Sequence, residues 1–394
     1  MSFDIRARLI AHTEPVADRD LLRAWQPGPG FLFEHRTGGV VGVDAAATIT
    51  VAPGDDQVAR GARLAAELLA RIDGEALVVG AFPFDGRTPA TLVVPRVAIR
   101  RSQTGTTRTV VGDPIPIPDE GPVGHEPTDV RTSPVPEPDA YVEAVKRARD
   151  LIASGALRKV VLARMLVAHA DHSYDRRAIL ARLRAAEPDA YVFAAGGFLG
   201  ATPELLARRT GTRIESIPLA GTATRVMDPD GAALLASAKD RSEHAIVVEA
   251  VTDALAPRCA TLDVPADPSL VATARLWHLG TRIEGTLRDP ATSALEVVAR
   301  LHPTPAVCGT PTGAAMRAIG DLERIDRTLY AGAVGWMDAR GDGEWAVALR
   351  CAEVRGRMAM LFAGAGIVED SDPDAELAET DAKFRAMLDA LGYA

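Results

Sequence analysis

Lysine is scarce in this sequence: Lys146, Lys159, Lys239 and Lys383 stand against forty arginines. A coding bias toward arginine gives such a ratio by itself, yet it makes each lysine a position where a rigid, permanently charged guanidinium did not serve. Cysteine is scarce too. Cys259, Cys308 and Cys351 are odd in number, widely spaced and without a CxxC or a neighbouring histidine cluster, which argues against a zinc site or a disulfide framework and leaves three small buried residues. No run of about 18 uncharged apolar residues is present, so no helical membrane span is expected. Residues 1–20 mix Asp4, Arg6, Arg8 and Glu14 among apolar positions and lack an apolar stretch followed by a cleavage signal, so a cytoplasmic location is expected. Positive charge is not in excess. The 44 Lys+Arg against 53 Asp+Glu leave a net charge of −9, which argues against nucleic acid as a partner. The dinucleotide fingerprint, the GxxxxGK phosphate loop and any repeat of fixed period are also missing.

What the chain does have is 394 residues, 47% of them hydrophobic, enough for a large core. Eight prolines (Pro114, Pro116, Pro118, Pro122, Pro127, Pro134, Pro136 and Pro138) remove backbone donors and fix φ. Residues 114–138 therefore read as a surface connection that holds neither helix nor central strand, between residues 1–113 and residues 139–394. Before it, strand-like runs at 39–43, 76–81 and 91–97 surround a helical pattern at 57–72. After it, Tyr141, Val142, Val145, Leu151 and Ile152 form a helical stripe that Gly155 stops, and the valine-rich run 159–166 reads as a buried strand. Further strands are expected at 191–199, 213–218, 345–354 and 358–363, the last two joined as a hairpin through Arg355-Gly356-Arg357. Helices are expected at 231–255, 295–301, 319–331 and 374–391. Runs of strands alternating with helices, without a strict βαβ rhythm, predict a large α+β fold.

Several residues carry chemistry. Asp240 and Glu243 are spaced i, i+3 and share a helix face, and Glu376 and Glu379 repeat the device near the C-terminus, with Lys383 four residues beyond. Two such pairs facing each other would make an all-oxygen site for a hard divalent cation such as Mg²⁺; alone, each pair is an ordinary solvated helix face. Strand alternation puts Lys159 on one face with Val161 and Ala163, where desolvation disfavours the ammonium and equips the amine as a base, unless the side chain snorkels to water. Glu204, after Pro203 and before Leu205 and Leu206, has apolar neighbours that raise a carboxyl's pKa and suit it to proton donation; the structural alternative is a glutamate capping a turn. A continuous strand at 345–354 would set Arg350 among Ala346, Ala348 and Ala352, a groove floor suited to a carboxylate. Gly364-Ala365-Gly366 reads as a turn whose N–H groups could cradle an anion.

In chain order these segments resemble the chorismate-utilising enzymes, most of all the isochorismate synthases. The matching strings are Arg158-Lys159-Val160-Val161-Leu162-Ala163-Arg164, Ala201-Thr202-Pro203-Glu204-Leu205-Leu206, Ser216-Ile217-Pro218-Leu219-Ala220-Gly221-Thr222, Lys239-Asp240-Arg241-Ser242-Glu243-His244, His302-Pro303-Thr304-Pro305-Ala306-Val307-Cys308-Gly309, Gly343-Glu344-Trp345 through Arg350-Cys351-Ala352-Glu353, and Gly364-Ala365-Gly366-Ile367-Val368. Before residue 130 the match is thin, with Gly80-Ala81-Phe82-Pro83-Phe84-Asp85 as its best string. The resemblance implies one large α+β unit over residues 1–394, with two packed halves around a cleft, which supersedes a domain boundary at the prolines. It implies Lys159 as the base on water attacking C2 of chorismate and Glu204 as the acid protonating the departing C4 hydroxyl. It implies Glu243 and Glu379 as Mg²⁺ ligands, with Asp240 and Glu376 holding metal-bound waters. His278, Ala306, Arg350, Gly364, Gly366 and Lys383 match substrate-binding positions, with Arg350 on the enolpyruvyl carboxylate. Relatives that add ammonia usually carry glutamine at the position of Lys159, which lowers anthranilate and aminodeoxychorismate synthases. A salicylate synthase, which goes on to eliminate pyruvate, is the alternative, and a non-catalytic chorismate-binding homologue is another. The His302 to Gly309 string favours the isochorismate endpoint. The implied enzyme is an isomerase serving menaquinone or siderophore biosynthesis, and a monomer is expected.

Overall fold

Long strands rich in β-branched residues set the architecture, because such side chains pack well on a pleated surface. The computed structural model describes residues 9–115, 127 and 129–393. Asp4, Arg6 and Arg8 of the N-terminal segment and Pro116, Pro118 and Pro122 of the proline-rich stretch lie outside the described residues. Gly38–Val51 and Ala90–Ser102 form the longest antiparallel pair of the N-terminal part, and two arms of one large antiparallel sheet grow from it.

In one arm Leu77–Phe82 pairs with Ala333–Asp338, and the ladder continues through Gly343–Val347, Leu205–Thr210, Arg213–Ile217 and Ile283–Leu287. In the other, Phe31–His35 pairs with Tyr191–Ala195, followed by Phe198–Thr202, Cys351–Arg355, Met358–Ile367 and Lys159–Ala170. The main core holds Phe33, Phe82, Phe193, Trp345 and Phe362 from both arms. A second apolar cluster joins Leu21, Ile179, Leu180 and Leu361 to Phe384 and Met387 of the C-terminal helix Pro373–Ala390. A small sheet of Leu219–Thr224, Leu276–Gly280 and Ser269–Ala272 completes the fold.

The expected α+β architecture holds, with corrections to individual elements. The run 191–199 is a hairpin, since Gly196 and Gly197, at φ 57° and 95°, turn the chain between Tyr191–Ala195 and Phe198–Thr202. The helix expected at 231–255 is two, Ala232–Ala236 and Ala238–Leu255, because Ser237 leaves helical geometry to cap the second. The helix expected at 319–331 is Thr312–Leu322, and the chain beyond it is irregular. The strand expected at 345–354 is also two: Gly343–Val347 belongs to one arm and Cys351–Arg355 to the other, and Arg350 takes φ +48° at the crossover. Within the proline-rich stretch, Val130–Val135 does form a strand. Among the described residues it pairs on one side only, with Lys159–Ala170, an edge position that proline tolerates.

Candidate active site

The crossover between the arms, the small sheet and two helices border a cavity lined by both polar and apolar side chains, among them Glu204, Glu243, His278, Tyr330 and Arg350. Lys159 opens the strand Lys159–Ala170 as partner of Thr310, and its side chain is fully buried. Its Nζ lies 2.9 Å from Glu243 Oε1, an ion pair without hydrogen-bond alignment, and among the described residues this ammonium has no hydrogen-bond partner. Glu243 comes from the helix Ala238–Leu255 and lines the cavity.

Gly364 and Gly366 do not form an anion-cradling turn. Both lie inside the strand Met358–Ile367, opposite Ala163 and Val161 of the lysine strand. Their value lies in the missing side chain. A Cβ on Gly366 would meet Glu243 Oε1 at 2.1 Å and Lys159 Cε at 3.0 Å, so only glycine lets the ion pair lie against this strand. A Cβ on Gly364 would crowd the Tyr330 hydroxyl at 3.0 Å.

Glu204 sits in the bend between Phe198–Thr202 and Leu205–Thr210 and is 2% exposed. Burial pushes its carboxyl up to about 8; Lys159, the Leu219 backbone N–H and Lys383 pull the other way without prevailing. A buried carboxyl that keeps its proton at neutral pH thus lines the cavity, with a buried amine within electrostatic reach of it.

At the crossover, Arg350 is half-buried and forms no ion pair among the described residues. One of its nitrogens donates to His278 Nε2 at 3.1 Å, and another to the Lys383 carbonyl at 3.4 Å. His278 Nε2 must then be an acceptor, which places the ring proton on Nδ1, facing Thr222 Oγ1 at 3.1 Å and the Gly221 carbonyl at 3.4 Å. Burial, with Arg350 and Lys383 adding to it, holds His278 well below its ordinary value, hence neutral. The alanine-lined face predicted for Arg350 is not what positions it. Its left-handed backbone turns it out of strand alternation, and a cation without a carboxylate partner faces the cavity.

The four carboxylates come from two helices. Glu376 is raised by burial and by Glu379, and Asp240 by burial and, more weakly, by Glu243 and Glu379, so the four feel one another's charge. Each also has a partner: Glu243 meets Lys159, Glu376 meets Lys239 at 2.9 Å, Glu379 meets Lys383 at 2.6 Å, and Asp240 accepts from the capping Ser237 hydroxyl. Lys383 also donates to the Gly364 carbonyl at 2.8 Å. Among the described residues no three His, Cys, Asp or Glu side chains converge into a ready-made metal-ligating group. The donor set is nonetheless all oxygen, and the space above Gly366 that a Cβ would fill is where Glu243 lies, which fits a hard cation.

Ala306 also lines the cavity. Residues the sequence reading missed are Tyr330, stacked on Phe362 with centroids 5.4 Å apart, and Thr222, the hydroxyl beside His278. Tyr330 fell inside a span read as helix, and its isolation as an aromatic in 319–331 was the only signal.

A chorismate binding enzyme family model matches residues 119–392. The isochorismate synthase DhbC of Bacillus subtilis is 42% identical, covering 96% of this chain and 97% of its own. A Bacillus anthracis crystal structure assigned as a DhbC isochorismate synthase superposes with a TM-score of 0.84 at 36% identity, over 95% of this chain and 99% of that one. The menaquinone-specific isochorismate synthase MenF of Escherichia coli superposes with a TM-score of 0.82 at 27% identity, over 97% and 94%. The chain therefore belongs to the chorismate-binding enzyme family and, within it, groups with the isochorismate synthases.

Proposed function

We propose that the protein is an isochorismate synthase that converts chorismate to isochorismate reversibly, adding water at C2 as the C4 hydroxyl leaves, with Mg²⁺ as its cofactor. The observation that carries this reading is the pairing of a buried carboxyl held up to about 8, Glu204, with a buried lysine, Lys159, beside a cavity that also holds the unpaired cation Arg350. The reaction needs a proton taken from the attacking water and a proton given to the departing hydroxyl. Lys159, as the neutral amine rather than the ammonium that pairs with Glu243, takes the first and Glu204 gives the second, so the ring undergoes no net change in protonation. Arg350, with no carboxylate of its own, holds a substrate carboxylate, and neutral His278 braces it from behind. Glu243, Glu379, Glu376 and Asp240 would hold Mg²⁺, directly or through water, and the ion supplies charge stabilisation for the ring carboxylate. Lys383, between Glu379 and the Gly364 carbonyl, borders the same space.

The test is to incubate the purified chain with chorismate and Mg²⁺ and separate the products. Isochorismate alone supports the reading, salicylate with pyruvate makes the protein a salicylate synthase, and unchanged chorismate makes it a binding homologue. We further propose a cytoplasmic monomer; sizing by light scattering should return one chain's mass of 41.6 kDa.

A further inference from the structure

Of the four lysines in the chain, three meet the three glutamates of the proposed cation site: Lys159 with Glu243, Lys239 with Glu376 and Lys383 with Glu379. The fourth, Lys146, pairs with Glu143 on the surface at 3.7 Å. With forty arginines available, this distribution calls for a physical reason. A guanidinium grips a carboxylate with a planar fork, whereas an ammonium is a compact, strongly hydrated point charge on a flexible stem that lets go more readily.

We infer that Lys239 is an exchangeable counter-ion: its ammonium neutralises Glu376 until a divalent cation takes over that carboxylate, and is then released to water. The inference rests on the proposed Mg²⁺ site. Lys239 is the lysine to examine because it is neither the proposed base nor a cavity-lining residue. The exposures of the two partners suit the exchange. The Glu376 side chain is 3% exposed and needs a compensating charge wherever it is ionised, while that of Lys239 is 35% exposed and has solvent within reach. Both partners precede a carboxylate expected to act on the cation, since Lys239 adjoins Asp240 and Glu376 lies one turn before Glu379. A cation that claims Glu376 must displace an ion pair already formed, so the pair weakens Mg²⁺ binding, and removing the ammonium should strengthen it.

Titration calorimetry of the full chain with MgCl₂ tests this. Lys239→Gln should bind Mg²⁺ about two- to fivefold more tightly than wild type, the range a partly exposed ion pair supports. Lys146→Gln removes the same unit of charge away from the site and should leave the affinity unchanged. A gain in Lys146→Gln equal to that in Lys239→Gln, or no gain in Lys239→Gln while the wild type binds, overturns the exchange and leaves the cation site standing. No Mg²⁺ uptake by the wild type sinks the cation site and the inference together. A second measurement needs no variant. Acetylation of Lys239 in the wild type, followed by mass spectrometry, should quicken when Mg²⁺ is added, and a rate that Mg²⁺ does not change overturns the inference.

Discussion

Glu204 is the residue whose chemistry follows most directly from its surroundings. Apolar neighbours in the sequence predicted a raised carboxyl, and burial in the fold raises it to about 8. As proton donor it works in the protonated form, so kcat/KM should fall with an apparent pKa near 8 as pH rises; a profile flat to pH 9 would assign the acid elsewhere. The same shift has a stability consequence of definite sign. The folded-state value lies above the ordinary 4.5, so the residue's contribution is fully present below about 4.5 and is lost as pH rises through about 8. Glu204→Gln keeps the protonated shape without that loss. It should lower kcat by ~10²–10⁴-fold and yet raise the melting temperature at pH 8, by an amount that shrinks toward pH 5. Lys159→Ala should abolish turnover to a similar degree while retaining substrate binding, measured by calorimetry; rates near wild type would remove Lys159 as the base. Arg350 was found for an incomplete reason. Its left-handed backbone is invisible in a sequence that merely places an arginine among alanines.

At the scale of elements, the reading succeeded where period and punctuation agree and failed where backbone geometry alone decides. The helices Gln57–Leu69, Pro138–Ala153 and Ala294–Leu301 lie where their stripes and caps put them. Gly364-Ala365-Gly366 was misread because glycine signals a turn and a close approach equally, and only the partner strand distinguishes the two. Residues 323–330 were misread as helix although they hold a network that ties two site segments together. Arg327, fully buried, donates to the Val161 and Val307 carbonyls at 2.8 and 2.7 Å and pairs with Glu323, which in turn accepts from the Ala163 N–H at 2.6 Å. The element-scale prediction concerns the strand that receives the ion pair. Gly366→Ala inserts a methyl group 2.1 Å from Glu243 Oε1, so Glu243 or Lys159 must move while the ladder itself remains. Far-UV circular dichroism should be unchanged and turnover should fall ~10²-fold, the usual cost of an ångström-scale displacement at a catalytic group. Wild-type turnover in Gly366→Ala would mean that the contact has no role in placing the base.

The whole molecule explains why the N-terminal part was hardest to read. Its individual strands are legible, but two of them have partners about 160 and 250 residues away, and neither periodicity nor turn chemistry encodes such pairing. Leu77–Phe82 pairs with Ala333–Asp338, and Phe31–His35 with Tyr191–Ala195, so residues 1–113 supply strands to both arms that carry the catalytic groups. Their side chains share the core as well: Phe82 stands 5.8 Å from Trp345, and Phe33 stacks on Tyr191 at 5.3 Å. A chain of residues 137–394 would therefore keep every proposed catalytic residue while exposing two unpaired sheet edges and the apolar surface beneath them, the arrangement that promotes aggregation. Expressed alone, it should appear as aggregate in size-exclusion chromatography and show no cooperative melting transition. The full chain, in contrast, should lose tryptophan fluorescence and far-UV ellipticity in one coincident transition, as a single shared core requires. Soluble residues 137–394 with a sharp transition of their own would show that the strand pairings across the two parts are dispensable, and that the first third of the chain is an attachment to a self-sufficient catalytic unit.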